Sequence, residues 1–375
     1  LADGTTAMAD GVARVRPGEL VGSTQTAAEQ SVLFHRYPLV VAPSAAVPNA
    51  GDFVTEDIAG MPLLVVRGDD HQVRVFLNVC RHRGNRLCSE RSGNRRAFSC
   101  EYHAWTYDGR GRCRGFVDRR AFAGLDTADF GLIAYPCAER HGLIWTLPQA
   151  GAELDVAGFL GPDLDAELAG YLRYSKHLFQ SDHQVFAFNW KFGVNTFQEL
   201  FHLAFLHKES LGRAFISNLS AFRSYPPHQR LTVVRSSFPE MLAEPSTEQS
   251  LFPHCTLVYV LFPNTVFVWQ LDHLEMWRFS PRPDDPGTCD VGLWLMTEEE
   301  PTTDRSRRHW QRNWDKTVET VYGEDFRAMA AIQANLASGR LDEIVYGRNE
   351  IGLQDYHQRV RAATADNRIE TDELV

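Results

Sequence analysis

Two short segments carry residue types that do chemistry together. Cys80-Arg-His82 and, after seventeen intervening residues, Cys100-Glu-Tyr-His103 supply two thiols and two imidazoles from two loops of hairpin size. Two Cys on one iron and two His on the other hold a [2Fe–2S] cluster whose reduction potential lies well above that of an all-Cys centre, and such a cluster relays single electrons. The same four donors would also suit a tetrahedral structural zinc. Zinc fingers pair Cys with Cys and His with His along the chain. Here each loop contributes one of each, which favours the cluster.

A second group lies in Asn195-Thr-Phe-Gln-Glu199-Leu-Phe-His202-Leu-Ala-Phe-Leu-His207. A single His among apolar neighbours is usually a core residue. Two of them beside a Glu, in a chain that already carries a redox cluster, read instead as iron ligands. Two imidazoles and one carboxylate on one side of an Fe(II) leave positions open for O2. At 100° per residue His207 lies about 140° round an ideal helix from His202, so a regular helix cannot offer both. The spacing therefore predicts a helix over Trp190–His202 that stops, bulges or kinks between Leu203 and Leu206. The third ligand must be a carboxylate from elsewhere, and Tyr322-Gly-Glu-Asp-Phe326 offers Glu324 or Asp325. In a helical stretch expected over Thr303–Ala337, Asp325 falls on one face with Val318, Val321, Met329, Ile332 and Leu336. Glu324 shares its face with Thr317, Thr320 and Ala328 and reads as exposed. A carboxylate on an apolar stripe is costly unless it is paired or coordinates a metal, which selects Asp325.

The elements that hold these residues fall into two blocks. From Pro38 to Pro148 short apolar stretches such as Leu63–Val66 and Val73–Leu77 are broken by Gly, Pro and Asn, the rhythm of a small antiparallel β domain. Ser23–His35 before it reads as a helix. Beyond Pro162 the segments lengthen, with strands expected at Thr256–Phe262, Thr265–Leu271, Glu275–Ser280 and Val291–Thr297 and a turn at Phe262-Pro-Asn-Thr265. The fold class is α+β: a β domain over 38–148, and a second domain of antiparallel sheet and long helices formed by 1–37 and 149–375.

The segments Asn78-Val-Cys80-Arg-His82-Arg-Gly84 and Cys100-Glu-Tyr-His103-Ala-Trp105, with Glu199-x2-His202-x4-His207, resemble the terminal oxygenase alpha subunits of the Rieske non-haem iron ring-hydroxylating oxygenases. Glu101 stands where that family commonly has Pro, and Glu199 where it more often has Asp. Glu there resembles the subset that acts on quaternary ammonium compounds. The resemblance implies a Rieske [2Fe–2S] domain on Cys80, His82, Cys100 and His103, and a catalytic domain whose curved antiparallel sheet grips long helices. Mononuclear iron would be held by His202, His207 and Asp325. It further implies a homotrimer in which Glu199 bridges His103 of one subunit to His202 of the next, and it matches Asn195 to an Asn near the iron. Electrons from NAD(P)H would come through a separate reductase, with or without a ferredoxin. Gly109-x-Gly111-x3-Gly115 has the wrong spacing for a dinucleotide fingerprint.

The reaction implied is O2-dependent dihydroxylation or oxidative demethylation of an aromatic or similar hydrophobic small molecule. Alternatives are monooxygenation of a quaternary ammonium compound and, in another class, a non-enzymatic Rieske electron carrier. Leu203, Phe205, Leu206, Leu257, Tyr259, Phe267 and Trp269 could line an apolar pocket or simply form core. Among 375 residues, 38 basic and 48 acidic side chains give a net charge of −10, which argues against nucleic acid or an anionic membrane as partner. No apolar run reaches the roughly eighteen residues that span a bilayer, and Leu1–Leu20 lacks a signal-peptide core, so a cytoplasmic protein is expected. The seven Cys show no further paired spacing and are expected to be reduced. Eleven Arg against four acids between Cys80 and Arg120 would set a positive face around the cluster.

Overall fold

The computed structural model describes residues 1, 3–243 and 250–372, with side chains described as far as 365. Two units emerge, Phe34–Phe159 and the combination of Leu1–Leu33 with Leu160–Val375. Among the described residues all seven cysteines are free thiols.

In the Phe34–Phe159 unit the central strands Asp52–Ile58, Met61–Arg67 and Val73–Leu77 pair antiparallel, with Ser92–Asn94 at one edge and Ala134–Tyr135 at the other. A second sheet joins Leu39–Pro43, Leu143–Thr146 and Cys137–Arg140. A third, small sheet of Ala97–Ser99, Thr106–Asp108 and Cys113–Gly115 projects the Cys100–His103 turn. Phe53, Leu64, Phe76, Phe98, Trp105 and Tyr107 form the core between these sheets.

The other unit is built on one seven-stranded antiparallel sheet. Its strands are β1 (His177–Phe186), β2 (Phe215–Tyr225), β3 (His228–Arg235), β4 (Cys255–Leu261), β5 (Thr265–Trp269), β6 (His273–Arg282) and β7 (Asp285–Thr297), in the order β1-β7-β6-β5-β4-β3-β2. Every residue of β4 and β5 is buried, so both faces of the sheet centre are covered, which explains why these strands read as near-continuous apolar runs. The helices that bear on the site are α1 (Ser23–Arg36), α2 (Trp190–Asn195), α3 (Asp304–Thr320), α4 (Phe326–Ala337) and α5 (Ile351–Asp372).

Helix α2 sits directly on the sheet because Gly193 permits it: a Cβ there would lie 2.1 Å from the Phe279 ring of β6. Its start is fixed by Asn189, whose side chain accepts the Lys191 N–H at 3.1 Å. Lys191 and Glu29 of α1 form a fully buried ion pair of 2.6 Å. Trp190 Nε1 and Gln25 Nε2 donate to the same carboxylate, so the pair is satisfied on several sides.

Two helical expectations are corrected. The helix expected over Trp190–His202 ends at Asn195 and gives way to turns and a short 3₁₀ segment, Phe201–Ala204. The break falls before the first His rather than between Leu203 and Leu206. The expected Thr303–Ala337 helix is interrupted by a π-helical turn at Val321–Asp325. One extra residue in that turn rotates the following face. Beyond it Phe326, Gln333 and Leu336 are buried while Ile332, expected inside, is 38% exposed.

Candidate metal centres and active-site cavity

In the Phe34–Phe159 unit the two Cys-bearing loops have the same design. The N–H of Gly84 returns to the Cys80 carbonyl at 3.0 Å and that of Ala104 to the Cys100 carbonyl at 2.8 Å. Both returning residues have positive φ, 77° and 54°. Each loop therefore presents its Cys and its His from one tight turn. The rings of His82 and His103 lie 4.7 Å apart, and Trp105 stacks on His82 at 4.9 Å.

Several observations bear on what this set can hold. His82 Nδ1 is buried with no hydrogen-bond partner, a costly state for a ring nitrogen unless something else takes its lone pair. The Tyr107 hydroxyl lies 3.5 Å from Cys80 Sγ, and Asn85 Nδ2 lies 3.8 Å from Cys100 Sγ. Burial pushes the Cys80 thiol up. At Cys100 burial acts the same way, but N–H groups of Tyr102 and His103 together with Cys80 and Asn85 outweigh it and lower the thiol's pKa. Among the described residues only His202, His207 and Asp325 bring three ligand atoms within 4.8 Å of one another.

In the sheet unit the break after α2 and the π-turn between α3 and α4 meet. Asp325 Oδ1 lies 3.1 Å from His207 Nε2 and 3.6 Å from His202 Nε2, and the two rings are 5.1 Å apart. Asp325 and His207 are buried and His202 is half-buried. The other ring nitrogen of each His is also held. His202 Nδ1 donates to Glu199, and His207 Nδ1 donates to Glu324 at 2.7 Å, since an ionised carboxylate can only accept. Both Nε2 atoms are thereby directed at Asp325, and a carboxylate behind each imidazole is the usual arrangement around metal-binding His. Burial lowers the His207 pKa, but Asp325 and Glu324 outweigh it and leave it above the ordinary imidazole value. The donor set fits a divalent iron with open positions.

Glu199 also accepts from the backbone of His202 at 3.3 Å, so its carboxylate caps the short turn that carries the first His. Asn195, the last residue of α2, is buried with its Oδ1 unpartnered and does not line the cavity next to the triad.

That cavity, about 110 Å³, is walled by Phe197, Leu200, Leu203, Val258, Val268 and Val321, with Thr256, Gln270, Glu275 and Thr317 as polar members. Of the seven apolar residues considered from sequence, only Leu203 lines it. On β4 and β5 the cavity side belongs to Val258 and Val268. Tyr259 and Trp269 point the other way and pack on Tyr171, and Phe205 is 67% exposed. With a side-chain period of two, choosing the wrong member of each strand pair moves the whole set to the opposite face. Glu324 was weighed only as an iron ligand and not as the partner of His207, and Ser210 and Glu275 were missed. Ser210 donates to Glu324 at 3.0 Å, and Glu275 is a buried acid within a strand, a signal that was available in the sequence.

Residues 168–366 match the ring-hydroxylating alpha subunit (catalytic domain) family model, and residues 37–128 match the Rieske [2Fe-2S] domain model. The biphenyl 2,3-dioxygenase subunit alpha of Rhodococcus jostii (strain RHA1) is 33% identical over 183 residues, 45% of this chain and 38% of that protein. The glycine betaine monooxygenase oxygenase subunit of Chromohalobacter salexigens is 34% identical over 192 residues, 49% of this chain and 41% of that protein. The match therefore spans about two-fifths of the length of these curated relatives. A crystal structure of the quaternary ammonium Rieske monooxygenase CntA superposes with a TM-score of 0.79 over 94% of this chain and 96% of that one, at 20% identity, a likeness of fold. With the catalytic-domain model matched over more than half of its residues and the Rieske model matched ahead of it, this chain belongs to the ring-hydroxylating alpha subunit family.

Proposed function

We propose that this chain is the terminal oxygenase component of a multicomponent Rieske system acting on a small hydrophobic or aromatic molecule. One observation carries the reading: His202, His207 and Asp325 converge at the wall of an apolar cavity, in a chain that also presents two Cys and two His from paired loops. Cys80, His82, Cys100 and His103 would hold the [2Fe–2S] cluster, and His202, His207 and Asp325 the mononuclear Fe(II). Together these groups supply electron relay and O2 activation when bound. A non-enzymatic electron carrier would need neither the triad nor the cavity.

The chain's own residues do the rest. Val258, Val268, Leu200 and Leu203 exclude water and take up the apolar body of the substrate. Glu199 and Glu324 hold the two imidazoles in the tautomer that leaves Nε2 free. Electrons would come from NAD(P)H through a reductase, with or without a ferredoxin. Glu199 would also accept from His103 of the next subunit in a homotrimer, a head-to-tail ring. No helix among the described residues is long and apolar enough to cross a membrane, and a cytoplasmic location is part of the proposal.

A second reading, oxidation of an N-methylated or quaternary ammonium compound, is supported by the acidic cavity wall, where Glu199, Glu275 and Asp325 stand among apolar residues. Metal and sulfide analysis tests the common part: about three irons and two acid-labile sulfides per chain are expected. Zinc without sulfide would end it. Product analysis with biphenyl, an N,N-dimethyl phenylurea and glycine betaine then separates the two substrate classes.

A further inference from the structure

Oxygenation with O2 and two external electrons takes up two protons. If both oxygen atoms enter the product, the protons end on its two hydroxyls. If one atom enters, they leave with the other as water. A cavity walled largely by apolar side chains needs a route for these protons, and one buried group of charges reaches from the wall towards solvent.

Glu275 of β6 lines the cavity and is almost fully buried. Its carboxylate accepts from Thr317 Oγ1 at 2.7 Å and from Trp277 Nε1 at 3.2 Å, which fix its orientation. Behind it stands His273, also buried, with Nε2 at 3.6 Å from Glu275 Oε1 and Nδ1 at 2.7 Å from Asp272 Oδ1. Asp272 is half-exposed, and its other oxygen meets His309 Nε2 at 3.2 Å on the exposed side of α3. We infer that Glu275, His273, Asp272 and His309 form a proton path from the surface to the active-site cavity.

The inference rests on the oxygenase reading above. An imidazole with a carboxylate on each ring nitrogen can take a proton at one nitrogen and release one from the other. The charged ring first passes its Nε2 proton to Glu275; a turn of the neutral ring, for which the adjoining cavity leaves room, then presents the freed nitrogen to Asp272, which hands on a proton taken from water through His309 and restores the charged ring. The one link longer than a hydrogen bond is His273 to Glu275, a gap that a few tenths of an ångström of side-chain movement closes. Burial lowers the His273 pKa, but bonds to Asp272 and Glu275 outweigh it and raise it to about 9, so the ring is charged at neutral pH. A second cavity of about 370 Å³ touches Asp272, His273 and Glu275, and its other charged members are Arg235 and Lys316. At the outer end Arg305, Arg312 and Glu298 to Glu300 surround Asp272 and His309. A purely structural ion cluster would have no need to join the cavity wall to the surface.

The test uses the iron-loaded, pre-reduced protein in a single turnover with whichever of biphenyl, N,N-dimethyl phenylurea or glycine betaine the wild type converts. His273→Gln and Glu275→Gln are expected to slow product formation tenfold or more, within the range for a lost acid–base group. The solvent deuterium isotope effect should rise while iron and sulfide contents stay unchanged. Asp272→Asn and His309→Asn, at the exposed end, give the same direction should the buried variants fail to fold. Imidazole added to His273→Ala, entering through the second cavity, should restore the rate with a dependence on its protonation. Product formation within twofold of wild type in the Asp272 and His273 variants would overturn the path. So would a loss matched by loss of iron, with no isotope effect and no rescue. Nitrogen-15 NMR of the His273 ring needs no substrate: a protonated ring at pH 7 that loses its proton more readily in Asp272→Asn is expected, and a neutral wild-type ring removes the stored proton and the proposal. A wild type that converts no substrate would count against the oxygenase reading and take the path with it. Conversion unaffected in the variants would count against the path alone.

Discussion

Glu324 and Asp325 are neighbours in one π-turn, yet they face different parts of the same site, and substituting each should separate their roles. Asp325 presents Oδ1 to the Nε2 atoms of both His202 and His207, so Asp325→Ala removes one of three protein donors. Stoichiometric mononuclear iron should be lost with it. Glu324 meets the back of one ligand only, at 2.7 Å from His207 Nδ1. Removing a carboxylate in that position typically weakens metal affinity 10- to 100-fold, or about 1.4 to 2.8 kcal/mol at 1.4 kcal/mol per decade. The hydrogen bond alone accounts for that size, since one to a charged group contributes about 1.5–3 kcal/mol. Glu324→Gln keeps an acceptor without the charge, and a neutral bond is about 1 kcal/mol weaker, so its loss should be only about fivefold. Chelator competition for the mononuclear iron measures these values, with acid-labile sulfide and cluster absorbance as internal controls in the other unit. An Asp325→Ala protein that keeps its iron, or a Glu324→Ala protein of wild-type affinity, would refute this division of roles. The order Ala weaker than Gln weaker than wild type at position 324 is the most specific part of the expectation.

Three further outcomes follow from other parts of the molecule. Glu29→Ala leaves Lys191 buried and unpaired, and should destabilise the fold by about 3–5 kcal/mol in denaturant titration; a loss under 1 kcal/mol would mean that the pair is not closed to water. His357 is fully buried, and burial, then Lys191 and Arg361, push its pKa down to about 3. Its unfolded form takes up a proton below about pH 6.5 that the folded form refuses, so stability should fall as pH drops from 6.5 towards 3. His357→Gln should flatten that acid limb, and an unchanged pH profile would show the ring to be inert. Between Cys80 and Arg120, Arg86, Arg95, Arg110, Arg112 and Arg114 are ion-paired, whereas Arg91 and Arg96 make no ion pair among the described residues. If an acidic donor docks on this face, its rate of cluster reduction should fall as salt rises, since exposed charges are screened beyond about 8 Å. Arg91→Glu with Arg96→Glu should slow it further and leave dithionite reduction unchanged; indifference to both would place docking elsewhere.

Residue type and spacing alone made the donor sets legible. Cys80, His82, Cys100 and His103 stand in short loops, where ligands a few residues apart are brought together by the turn itself, and no distant contact is needed. Residue type and the cost of a buried carboxylate also pointed to His202, His207 and Asp325, whose ligand atoms the structure brings within 4.8 Å of one another. The α+β class was readable too, because strand and helix periods differ. Tertiary structure decided what spacing leaves open. It ended α2 at Asn195, where Gly193 packs on Phe279, and it put a π-turn at Val321–Asp325 that turns Glu324 from an exposed acid into the partner of His207. It also chose which face of β4 and β5 sees the cavity, because both faces of a doubly covered sheet are apolar and the alternation that marks an inside is absent. The link from Glu275 to His309 joins residues of β6 to one of α3. Only the packing of that helix against the start of β6 brings them together, and no local pattern encodes it.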